Sequence, residues 1–206
     1  MSAALPMSHM SNQDTQEDQL RADCYRVMAR LFAAAPDAAL LDTLAKASTP
    51  ATDTVGKAWN ALCTLAARVG AGKTASGYLE ALEREYSELF FGVGEPRVML
   101  YGSWYQAGSL MDAPLARLRD DLAQLGFARD PDVREPEDHF AAVLEVMTML
   151  VADRRPEQGE FFQRHLATWY ATVCQRLMAE DSEFYRAAAG FTRAVLDNEK
   201  ELLAGC

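Results

Sequence analysis

Glu135-Pro136-Glu137-Asp138-His139 packs three carboxylates and an imidazole into five residues. If Glu135, Asp138 and His139 share one side of a helical first turn, they could bind a metal ion or hydrogen-bond a cationic ligand. The metal reading fits poorly. A catalytic zinc site presents three well-placed protein ligands, and no second histidine lies one turn away to give HExxH. His165 reaches the cluster only through folding, so a metal-dependent hydrolase built on Glu135, Asp138, His139 and His165 is the weaker alternative. The pentapeptide is also a well-made helix start. Pro136 suits the first helical position, and Glu137 and Asp138 complement the dipole in the first turn.

The second chemistry-bearing segment is Tyr86 to Tyr105, YSELFFGVGEPRVMLYGSWY. Gly92 and Gly94 do not complete GxGxxG, and the chain holds no GxxxxGK[ST] phosphate loop. No GxSxG elbow or paired Cys–His signature is present either. What remains is a loop dense in Phe91, Met99, Leu100, Tyr101, Trp104 and Tyr105. These side chains pack between helices by default; where exposed, they form an adaptable apolar surface for a peptide.

The elements that carry these segments are helical. Apolar stripes run through Leu20, Cys24, Met28, Leu31 and Phe32, through Trp59, Leu62, Cys63, Ala66 and Val69, and through Leu79, Leu82, Tyr86, Leu89 and Phe90. Glycines at 70, 72, 92 and 94 close the last two, and Gly126 closes a fourth stripe over Leu115–Leu125. Phe140–Val151, Phe162–Leu177 and Phe184–Val195 repeat the pattern, with Asp181 and Ser182 as cap candidates for the last. The expected fold is an all-α helical bundle, one domain with a larger N-terminal part (20–127) and a smaller C-terminal part (137–206). A charged, proline-containing hinge (128–136) joins them, and an acidic disordered tail (1–19) precedes them. Exchange of the C-terminal part across that hinge makes a domain-swapped dimer the alternative to a monomer.

The 206 residues carry 20 Lys plus Arg against 30 Asp plus Glu, a net charge of −10. That charge repels phosphate backbones, so nucleic acid is not an expected partner, whereas a basic peptide is attracted. Cys24, Cys63, Cys174 and Cys206 are scattered without a CxxC pair, which fits reduced thiols in the cytoplasm. The N-terminal segment lacks the basic start of a secretory signal, and Glu145 interrupts the longest apolar run, so no membrane span is expected.

Taken together, Tyr86-Ser87-Glu88-Leu89-Phe90 with Gly92, Tyr101-Gly102-Ser103-Trp104-Tyr105, and Glu135-Pro136-Glu137-Asp138-His139 resemble the motifs of the TorD/DmsD/NarJ family of molybdoenzyme maturation chaperones. The resemblance implies an all-helical, non-enzymatic cytoplasmic chaperone without cofactor. Its partner would be the twin-arginine signal peptide of a molybdopterin oxidoreductase catalytic subunit, held until the client's cofactor is inserted. By motif, the peptide site falls on Leu89, Phe90, Tyr101, Ser103, Trp104, Tyr105, Glu135, Glu137, Asp138 and His139. Asp138, with Glu135 or Glu137, is expected to face the arginines, and the aromatic loop the apolar part. Met99 and Leu100 stand where the family carries prolines. A helical adaptor for another partner is the alternative that uses the same loop.

Overall fold

Asp37 and Asp53 show how local chemistry starts the helices. Each sits in extended backbone, and its carboxylate accepts from an amide three residues on, Leu40 N at 2.7 Å and Gly56 N at 2.6 Å. Ser182 does the same for the last helix, accepting from Tyr185 N at 3.1 Å, as its position after Asp181 suggests. Gly92 and Gly126 take left-handed φ angles of 49° and 79° just beyond helix ends, where a side chain would be strained.

The computed structural model describes residues 12–68, 75–92, 95–130 and 132–204. Among them run α1 (Asn12–Ala33), α2 (Ala38–Ala45), α3 (Thr54–Ala67), α4 (Ala75–Phe90) and α5 (Gly102–Ala107). After these come α6 (Ala113–Gln124), α7 (Phe140–Ala152), α8 (Gln158–His165), α9 (Tyr170–Met178) and α10 (Glu183–Ala204). The fold is all-α, as expected, with one isolated antiparallel bridge between Tyr101 and His139 among the described residues. Val69, Gly70, Gly72, Gly94 and Cys206, named above, lie outside the described residues.

α7 is the central rod. Phe140, Val143, Leu144, Met147, Leu150 and Val151 are all buried, as are Ala141 and Val146, while Glu145 and Met149 stay exposed. An apolar face this wide must be covered by several other helices. α1 lies along it, while α10 packs on α3 and α9. One continuous core therefore draws side chains from both sides of the 128–136 segment. Within that segment the Arg129 guanidinium donates to the Val133 carbonyl at 2.9 Å and the Arg134 carbonyl at 3.2 Å. No helix among the described residues is long and apolar enough to cross a membrane.

Three expectations need correction. The acidic stretch from Asn12 to Gln19 is helical rather than disordered, and within it Asp18 pairs with Arg21 at 3.0 Å and with Arg154 at 3.1 Å; residues 1–11 lie outside the described residues. The buried stripe of α1 runs through Ala22, Tyr25, Met28, Ala29 and Phe32, so Leu20 is 65% exposed. Pro136 does not open a helix. A turn closed by His139 N to Pro136 O at 3.1 Å comes first, and α7 begins only at Phe140.

Candidate functional site

The two motif segments meet through main-chain hydrogen bonds. Gly102 N donates to Asp138 O at 2.9 Å and Phe140 N to Leu100 O at 2.7 Å, on either side of the Tyr101–His139 bridge. The Asp138 carboxylate then accepts from Ser103 N at 2.7 Å through Oδ2, satisfying an amide that opens α5. A glycine at 102 leaves room for Trp169: a Cβ there would stand 3.2–3.3 Å from the indole, a tight contact. Asp138 is 4% exposed and Ser103 fully buried; Asp138 Oδ1 and Ser103 Oγ have no hydrogen-bond partner among the described residues.

His139 caps α7, its Nδ1 accepting from Ala141 N at 3.3 Å. That acceptor role needs a neutral ring with the proton on Nε2. Burial supports the assignment by pushing the histidine's pKa below its ordinary 6.5, against the opposing pull of Glu135 and Asp138. Tyr101 stands edge-on to this imidazole, ring centroids 5.2 Å apart, and its hydroxyl donates to the Glu135 carboxylate at 3.0 Å. Burial, then that hydrogen bond, pushes the Tyr101 phenol well up, so it stays a donor.

Glu137 is committed elsewhere. Arg119 reaches it at 2.8 Å and Arg129 at 3.4 Å; burial, the largest single influence, would raise its pKa, but the Arg119 hydrogen bond, a backbone hydrogen bond and the charges of both arginines together lower it. Leu89 and Phe90 belong to the core, Phe90 lying between Phe32, Tyr86 and Tyr185 at centroid distances of 4.9–6.4 Å. Tyr105 stacks on Trp169 at 5.8 Å under the Arg176 guanidinium and donates to Met99 O at 2.8 Å.

The ten residues expected at a peptide site thus separate by role. Ser103, Asp138 and His139 are buried and build the junction, and Leu89 and Phe90 are buried in the core. Tyr101, Trp104, Tyr105 and Glu137 are half-buried, and Glu135 is exposed. Phe91, named in the aromatic loop but not among those ten, is 59% exposed beside Tyr86 at 5.7 Å, and sequence reasoning left out the cation Arg119 that claims Glu137. Phe91 follows Phe90 directly, and a pair of aromatics at a helix end cannot both enter one core face; that was the available signal. His165 pairs with Asp121 at 2.6 Å instead of joining His139. No group of three or more His, Cys, Asp or Glu converges as a metal set among the described residues.

The helical fold that carries these two loop segments has a counterpart among solved structures. A redox enzyme maturation protein of Archaeoglobus fulgidus superposes with a TM-score of 0.50 over 92% of this chain and 98% of that one, at 17% identity, a likeness of fold. The profile of the nitrate reductase delta subunit family matches residues 49–175, which include both motif segments, and the chain belongs to that family. Among curated relatives, a Tat proofreading chaperone DmsD of Haemophilus influenzae is 31% identical over 119 residues, covering 56% of this chain and 59% of that protein. A chaperone protein TorD of Vibrio cholerae is 26% identical over 136 residues, covering 59% of this chain and 62% of that protein. The matches therefore span about three fifths of those relatives.

Proposed function

We propose that this protein is a cytoplasmic maturation chaperone, a binding protein and not a catalyst. It holds the twin-arginine signal peptide of a molybdopterin oxidoreductase catalytic subunit while the client's cofactor is inserted. Family membership and the chaperone names of the relatives support this reading. The observation that carries it is the junction itself, buried motif residues joined by main-chain hydrogen bonds with the exposed Glu135 carboxylate accepting from Tyr101 at its edge.

The chemistry of such a peptide matches that face. A guanidinium needs an accessible carboxylate, and with Asp138 capping α5 and Glu137 held by two arginines, Glu135 takes that role. Phe91 and the open edges of Tyr101 and Trp104 receive apolar side chains. Calorimetric titration with twin-arginine signal peptides of the source organism's molybdoenzymes tests this. Binding to one of them, weakened when both arginines become lysines, is expected, because lysine keeps the charge and loses the planar fork. If no such peptide binds, the reading fails and the helical adaptor takes its place.

A further inference from the structure

Leu20 and Cys24 were expected to sit in the core stripe of α1, and the structure turns them outward into a groove. Two adjoining hollows of about 370 and 460 Å³ share Leu20, Cys24, Asp53 and Val55 and run between α1, the start of α3 and the second half of α10. The floor is apolar: Val27, Val55 and Trp59 are half-buried, and Phe191 lies beneath with its ring 5.0 Å from the Trp59 indole. Cys24 adds an apolar thiol, which burial keeps protonated with a pKa of about 11. None of these residues belongs to the Tyr101–His139 junction.

The rim is acidic. Asp23, Asp53, Asp197 and Glu201 line it, and Arg21 is the one cation among the lining residues. Arg21 is spent on Glu199 at 2.7 Å and Asp18 at 3.0 Å, and Asp23 and Asp197 are paired with Arg26 and Arg193 outside the groove, so the negative charge left on the rim is that of Asp53 and Glu201. An apolar floor between helices with one sign of charge along its edges suits a helix laid lengthwise.

We infer that this groove is a second docking site, for an amphipathic helix of a partner protein that is apolar on the inserted face and basic along its flanks. It stands independently of the surface that receives the signal peptide.

The test uses the full chain and a designed leucine-faced, lysine-flanked helix of about 16 residues, long enough to hold its shape. It carries a photo-cross-linker on the apolar face, and a glutamate-flanked twin serves as control. Cross-links at Leu20, Val27 and Trp59 are expected, with preference for the lysine peptide. Leu20→Glu, at an exposed position, weakens binding about tenfold, and Glu201→Lys shifts preference toward the glutamate peptide. Cross-links at Phe91 or Tyr101, or equal binding of the two peptides, would overturn the inference. Two other outcomes would also overturn it: binding only to a chain lacking residues 1–11, which assigns the groove to that segment, or exclusion of the peptide by a dimer that Leu20→Glu dissolves, which assigns it to a second copy.

Discussion

The Ser103 amide donates to the Asp138 carboxylate at 2.7 Å, two residues separated by 35 positions in the chain. This bond makes Asp138 the clasp between the aromatic loop and the head of α7, so the residue best placed by motif to meet an arginine serves the fold first. Asp138→Ala removes the cap from a buried amide and is expected to lower stability by about 1–3 kcal/mol. Asp138→Asn keeps an acceptor oxygen and loses less. Urea unfolding of the two variants measures the difference.

Gly102→Ala probes the same clasp from the other side. The added methyl meets the Trp169 indole at 3.2–3.3 Å, and the ring is held by its own bond from Nε1 to His165 O at 2.7 Å. A loss of about 1–3 kcal/mol is expected, with a change in the near-ultraviolet dichroism of the tryptophans.

Acidification should loosen the bundle through its two characterised histidines. Burial lowers the pKa of His139 and of His165 below 6.5, so the unfolded chain takes up their protons first. The stability they contribute is present above pH 6.5 and is lost as pH falls through the lowered folded values. The urea midpoint is expected to drop between pH 7 and pH 5, and His139→Gln should flatten part of that slope.

Phe91 separates binding from folding. At 59% exposure its replacement by serine should leave the urea midpoint within about 0.5 kcal/mol of wild type. Signal-peptide affinity should fall about tenfold in the same variant, read by calorimetry.

Much of this molecule is legible in periodicity. The stripes from Phe140 to Val151 and from Phe184 to Val195 are buried as their spacing predicts, and Gly126 ends α6. Leu20 shows the limit. Ala22 and Tyr25 make an equally regular stripe, and only the approach of α7 decides which face is covered. The site was legible as two segments, but not as a geometry. Asp138 and Glu137 read as free carboxylates until Ser103 N and Arg119 arrive from distant positions, and no local rule announces a bond across 35 residues.

Two peptides and two proteins test whether Glu135 reads the paired arginines. A twin-arginine signal peptide and its double-lysine form are titrated into the wild-type chain and into Glu135→Gln. The arginine-to-lysine penalty is expected to shrink about threefold to fivefold in the variant, because the carboxylate that reads the guanidinium is gone. An identical penalty in both proteins would contradict it, placing the arginines away from Glu135 and the junction.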